Sequence, residues 1–227
     1  MRDYVIVSDA TLDLPYSIIE EYGIMVIPMG VDIDNVAYNF HPDEKELKID
    51  EFYEKLKAGA DTHTTQITPI VFTEYFKNIL DEGLDLIYIG FSSGLSSTYN
   101  ASQLVMEELI KEYPDRKIYC IDSKCASIGE GLLVYHAALQ KRNGLTIDEL
   151  KEWVENHKYN SRHWFTVKDL FYLKKGGRVT SVEAVVGTAF RIRPVLSTDE
   201  NGKLVVVSKI RGSKAETEFL INRMIKE

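Results

Sequence analysis

Gly90-Phe91-Ser92-Ser93-Gly94-Leu95-Ser96-Ser97-Thr98-Tyr99 lies between two different hydrophobic periods, and that change of period decides the fold. Before it, residues 84–89 are a short apolar run rich in β-formers. After it, residues 99–113 carry Ala101, Leu104, Val105, Leu109 and Ile110 at helical spacing. The stretch is therefore a strand-to-helix turn crowded with hydroxyls. Such a turn exposes free backbone N–H groups at the positive end of a helix. Ser and Thr side chains there either cap those groups or join them in gripping an anion. The stretch alone leaves both readings open.

The same grammar repeats outward. Residues 4–7 are an apolar run ending in Ser8-Asp9-Ala10-Thr11, and Leu12-Asp13-Leu14-Pro15 opens a helix through Ile18, Ile19 and Tyr22. Pro15 suits a first helical turn, where its missing N–H is no loss. Residues 24–31 read as a second strand and residues 32–44 as a polar excursion with little periodicity. A helix is predicted from Asp50, as its N-cap, to a stop at Gly59. Thr62-His63-Thr64-Thr65-Gln66-Ile67-Thr68-Pro69 is a second hydroxyl-rich loop, followed by a helix bearing Phe72, Tyr75, Phe76 and Ile79 that ends at Gly83. Beyond the serine turn, residues 117–121 form a strand ending in Asp122-Ser123-Lys124. Helices follow over 127–142 and 147–159, broken by Asn143-Gly144.

Strands alternating with helices imply a largely parallel sheet. Ligands of such sheets collect at the carboxyl ends of the strands, which here brings Asp9, Thr64, Ser92, Ser93 and Asp122 to one edge. After residue 159 the pattern changes. A strand over 161–167 leads to a short helix over 169–174, then to Lys174-Lys175-Gly176-Gly177-Arg178, a glycine turn with three cations. A small apolar segment (182–189), a strand (192–196), a hairpin turn (198–203), a strand (204–210) and an amphipathic helix (213–227) complete the chain. The expected class is α/β: an N-terminal, largely parallel α/β domain over 1–159 followed by a smaller α+β domain over 160–227.

Composition removes several functions. With 227 residues and 44% hydrophobic side chains, the chain has ample core. Its 27 Lys and Arg against 35 Asp and Glu give a formal charge of −8 with no long basic run, which disfavours a nucleic-acid partner. No stretch nears the ~20 apolar residues of a membrane span, and the first residues run into a strand instead of a signal sequence, so a cytoplasmic protein is expected. Cys120 and Cys125 are too few for a disulfide scaffold and read as structural thiols. No histidine sits at metal-ligand spacing, so neither metal nor cofactor is expected. Ser92-Ser93-Gly94 is not a G-x-S-x-G nucleophile elbow, and Gly176-Gly177-Arg178 lacks Walker spacing. A small serine hydrolase or phosphotransfer enzyme using Ser93 stands as the alternative to a binding protein.

Five motifs in order, Val7-Ser8-Asp9-Ala10-Thr11, Thr64-Thr65-Gln66-Ile67-Thr68-Pro69, Ser92-Ser93-Gly94-Leu95-Ser96-Ser97-Thr98-Tyr99, Asp122-Ser123-Lys124 and Lys174-Lys175-Gly176-Gly177-Arg178-Val179, resemble the DegV family of bacterial fatty-acid-binding proteins. Ile192-Arg193-Pro194-Val195-Leu196 and Lys209-Ile210-Arg211-Gly212-Ser213-Lys214 extend the likeness over essentially the whole chain. The resemblance implies one long-chain fatty acid held between the two domains, no catalysis by the chain itself, and, for some members, presentation of the acid to an ATP-dependent kinase subunit. It assigns the carboxylate to Thr64 and Ser93, with Ser92 as the alternative, and a head-group or transfer role to Arg178. Val185, Val186, Ala189 and Phe190 are candidates for the tunnel wall or for ordinary core. Thr65 replaces the family's Ser, and Ser97 stands where Gly is usual. The family continues for a strand, a helix and a glycine-rich histidine segment past this chain's last residue. The expectation is a truncated form or an incomplete site without the head-group histidine.

Overall fold

A computed structural model of the chain describes residues 3–167, 173, 176–178 and 192–226. Its centre is a four-stranded parallel sheet in the order β2-β1-β6-β7, built from β1 (Tyr4–Asp9), β2 (Met25–Ile27), β6 (Asp85–Gly90) and β7 (Ile118–Asp122). The strands are apolar on both sides because helices cover both faces. Ile87 and Ile89 of β6 face α1 (Tyr16–Tyr22), α5 (Ile128–Arg142) and α6 (Ile147–His157), in a cluster with Ile19, Leu133, Val134, Leu150 and Val154. The alternate residues Leu86 and Tyr88 face α3 (Pro69–Asp81) and α4 (Thr98–Glu112), where Phe72, Phe76, Val105 and Leu109 pack. The β-period of two thus sorts one strand between two cores.

Two small antiparallel sheets flank this centre. One has the order β4-β3-β5, from β3 (Met29–Ile33), β4 (Val36–Phe40) and β5 (Thr62–Thr65), with α2 (Ile49–Lys57) beside it. The other has the order β10-β9-β8, from β8 (Phe165–Thr166), β9 (Ile192–Thr198) and β10 (Leu204–Arg211), followed by α7 (Ser213–Lys226). The class is thus mixed α/β, with a parallel sheet at the core and additional antiparallel sheets.

Three sequence expectations need correction. The strand expected over 24–31 is two, divided at Pro28, which has no N–H for a ladder. Residues 32–44 contain β4, paired to β3 through Asp34 and Asn35, both with positive φ (51° and 65°) as a two-residue hairpin requires. The signal was that Asp-Asn pair. The second hydroxyl loop begins as a strand, β5, which pairs with β3 and so never joins the parallel sheet. A smaller shift is at α2, whose N-cap is Lys48, leaving Asp50 in the first turn to face the helix dipole. The short helix over 169–174, apart from Leu173, and the segment 182–189 lie outside the described residues.

Candidate functional site

The carboxyl ends of β1 and β6 meet at Asp9. One oxygen of Asp9 accepts from the Thr11 N–H at 3.1 Å and from the Thr11 hydroxyl. The other accepts from Tyr88 Oη at 2.6 Å and the Phe91 N–H at 3.3 Å. Asp9 is 1% exposed, so a carboxylate ties two strand ends together where water cannot. Burial, with the Asp9 charge second, pushes the Tyr88 phenol well above its usual range and keeps it a neutral donor.

The serine turn divides its hydroxyls between two faces. Ser92 is fully buried, donates to the Gly202 carbonyl at 2.8 Å and accepts from the Gly94 N–H at 3.2 Å. Gly202 is in the hairpin between β9 and β10, so Ser92 docks the second antiparallel sheet onto the serine turn between β6 and α4. Glycine is required on both sides of that contact. A Cβ on Gly94 would sit 2.7 Å from the Gly202 carbonyl, and Gly202 itself has φ +74°.

Ser93 belongs to a charged cluster. Its N–H donates to Asp122 Oδ1 at 3.2 Å, and its hydroxyl accepts from Lys124 Nζ at 3.1 Å. Lys124 is held by Asp122 Oδ2 at 2.7 Å. Burial alone would raise the Asp122 carboxyl, but the bonds from Lys124 and Ser93 outweigh it and hold it below the usual range. Ser96 and Thr98 face elsewhere: their hydroxyls lie 3.0 Å apart, the Thr98 N–H donates to Ser96, and the Ile67 N–H reaches Thr98 Oγ1 at 3.4 Å. That last bond joins the serine turn to the segment after β5.

Between these elements is a cavity of about 330 Å³. Its wall is largely apolar, with Met29, Ile67, Phe91, Leu95, Phe165 and Leu204. Polar groups enter from the strand ends and turns: Asp9 and Thr11 from the end of β1 and the turn after it, Thr64 from β5, Ser96 and Thr98 from the serine turn, and Arg178 from the glycine turn. Arg178 is exposed, and its Nε donates to the Leu95 carbonyl at 3.1 Å, laying the guanidinium across both units.

Of the residues singled out from sequence, Thr64 and Arg178 are on the cavity wall. Ser92 and Ser93 are not among its lining residues, being turned to Gly202 and to Lys124. Val185, Val186, Ala189 and Phe190 lie outside the described residues. Thr11, Ser96, Thr98, Lys124, Phe165 and Leu204 escaped the sequence reading as site residues. Ser96 and Thr98 fit helix capping as well as ligand binding, and a Leu in a strand carries no mark that separates cavity from core. Among the described residues no group of three His, Cys, Asp or Glu could hold a metal, and no helix is long and apolar enough to cross a membrane. Cys120 and Cys125 are buried without a disulfide, and burial pushes their thiols up to about 12 and about 11.

Fold and site together define a mixed α/β protein in which a parallel sheet and two antiparallel sheets enclose an apolar cavity fringed by hydroxyls and one arginine. The chain belongs to the DegV family, described as uncharacterised proteins, whose sequence profile matches residues 3–227. A DegV domain-containing protein of Clostridium perfringens is 38% identical over 226 residues, covering 100% of this chain and 77% of that protein. The fold is similar to that of a DegV family protein from Thermus thermophilus described for its fatty acid binding (TM-score 0.84, 26% identity, 99% of this chain and 77% of that one). It is also similar to a protein from Thermotoga maritima whose structure is said to reveal a fatty acid binding function (TM-score 0.81, 29% identity, 99% and 77%).

Proposed function

We propose that this protein binds one long-chain fatty acid, with the tail in the cavity between the 1–159 and 160–227 units and the carboxylate at the hydroxyl-bearing turns. The observation that carries the reading is the joining, in one cavity, of an apolar wall to the Thr64, Ser96 and Thr98 hydroxyls and the Arg178 guanidinium. Fatty acid binding by the Thermus and Thermotoga relatives supports it. At ~0.8 kcal/mol per buried methylene, a tail of ~14 methylenes gains on the order of 11 kcal/mol, against ~1.5–3 kcal/mol for each hydrogen bond to the carboxylate. The tail supplies affinity and the turns supply direction. Thr64, Ser96 and Thr98 of the serine turn, and Arg178 form the head-group region of this reading, with Ser92 and Ser93 holding that turn in place through Gly202 and Lys124.

The protein acts as a carrier in the cytoplasm that presents its acid to an ATP-dependent kinase subunit, with Arg178 exposed for that encounter. The Ser93 hydroxyl oxygen accepts from Lys124, itself ion-paired to Asp122, and a charged donor on that oxygen draws electron density from it, which disfavours a serine nucleophile. Protein purified from a lipid-replete host, extracted with organic solvent and analysed by mass spectrometry, is expected to yield about one equivalent of fatty acid. Recovery of none would overturn the reading.

A further inference from the structure

Behind the cavity wall stands a buried acid to which the fatty-acid reading gives no role. Glu130 of α5 is fully buried, with one oxygen 3.0 Å from the Ser8 hydroxyl and the other 2.9 Å from the Thr11 hydroxyl. Thr11 also touches Asp9, and Ser8 also reaches the Ile89 carbonyl at 2.8 Å. Each hydroxyl has one hydrogen and two acceptor oxygens beside it, and the single Ser8 hydrogen is shared between the Ile89 carbonyl and the Glu130 oxygen facing it. Thr11 cannot donate to Asp9 and to Glu130 at once, so one carboxyl must carry a proton for both contacts to be hydrogen bonds. Asp9 already accepts from the Thr11 and Phe91 N–H groups and from Tyr88. No backbone N–H stabilises Glu130 among the described residues, so the proton belongs on Glu130. Burial, with the Asp9 charge next, pushes its carboxyl well above the ordinary range, in agreement with the hydrogen count.

We propose that Glu130 is a positioning residue for the cavity, its carboxyl proton fixing Thr11 and, through Thr11, the Asp9 carboxylate that ties the β1 and β6 turns together. The chain runs Glu130 O–H to Thr11 Oγ1, then Thr11 O–H to Asp9. Both Thr11 and Asp9 line the cavity. In this arrangement their side of the wall offers a ligand acceptors and no hydrogen. An anionic head group is turned away from it, toward Thr64, Ser96, Thr98 and Arg178. Loss of the Glu130 proton would set two buried carboxylates against one hydroxyl hydrogen, and the wall would lose its order.

The titratable groups around Glu130 are Asp9 and Asp13 from the β1 turn, Tyr88 from β6, Cys125 before α5, and His163, which packs on Gly129. The α6 residues facing α5 in the shared core, Leu150 and Val154, are apolar. Between pH 6 and 9 Tyr88 stays neutral, and Cys125, pushed up to about 11, does likewise. Burial lowers His163 and raises Asp13. Because the folded protein holds the Glu130 proton more tightly than the unfolded chain, that proton stabilises less as pH rises toward the folded value.

The binding part of this role rests on the fatty-acid reading, so the test has two arms on wild type and Glu130→Gln, which keeps a neutral donor to Thr11. Without ligand, the melting temperature of wild type is expected to fall from pH 6 to 9 relative to E130Q. With hexadecanoate as the probe, wild-type affinity is expected to weaken severalfold over that range while E130Q stays within about twofold. Identical pH profiles for the two proteins would overturn the proposal, as would a folded E130Q that no longer binds at pH 6. Failure of wild type to bind hexadecanoate at any pH would overturn the fatty-acid reading and the positioning role with it. A melting difference between the two proteins would in that case still locate the proton on Glu130.

Discussion

Thr64 and Ser92 carry similar hydroxyls and do opposite work. The Ser92 hydroxyl is spent in both directions, as donor to Gly202 and acceptor from Gly94, with no exposed surface. Thr64 is exposed near the end of the edge strand β5 and lines the cavity. Replacing it by Val keeps the strand preference and removes one donor to a carboxylate, worth ~1.5–3 kcal/mol. Thr64→Val is therefore expected to weaken hexadecanoate binding, read by calorimetry, by about tenfold or more. Its melting temperature should move little, since surface substitutions stay within about 0.5 kcal/mol. Unchanged affinity would remove Thr64 from the head-group region. Both residues were visible in the sequence as hydroxyls in loops before helices. Their separate duties were not, because a hydroxyl's role depends on which oxygen or N–H stands opposite it, and for Ser92 that partner is 110 residues away.

At the scale of elements, the hairpin between β9 and β10 is the part that the site leans on. It closes the second antiparallel sheet against the serine turn through a contact between two glycines and one buried serine. A Cβ on Gly202 would come within 1.9 Å of Ser92 Oγ, from a backbone with φ +74°. Gly202→Ala combines left-handed strain with overpacking, about 2–4 kcal/mol together, and is expected to lower the melting temperature and weaken fatty acid retention jointly. A variant that melts like wild type and retains its lipid would show that the hairpin is not held where Ser92 holds it. The sequence signalled this hairpin through Asp199-Glu200-Asn201-Gly202 but gave no sign that its tip would seat on Gly94. The elements with strong period came through with small shifts, α3, α4, α5 and α6 among them. Those lost were β4 and β5, short and polar, whose strand character comes from pairing with β3 instead of from their own side chains.

For the whole molecule, the cavity has walls from the parallel sheet's turns, from β3 and β5, and from the second antiparallel sheet, so a tail inside it touches all three. A ligand bound at such a junction stabilises the folded chain by mass action, ~2.7 kcal/mol at a free concentration one hundred times its dissociation constant. Delipidated protein is expected to melt about 5–10 °C lower than the same protein with hexadecanoate restored, measured by calorimetry at fixed pH. A melting point indifferent to the lipid would mean that the acid does not bridge the units. What the sequence determined by itself was the alternation of strand and helix, the change of style near residue 160, and the gathering of Asp9, Ser92, Ser93 and Asp122 at the ends of parallel strands. These follow from local period and chain order. What only the tertiary structure decided was which of those polar groups face the cavity and which face one another. A hydrogen bond is settled by a few tenths of an ångström between residues distant in sequence, and no local pattern encodes that.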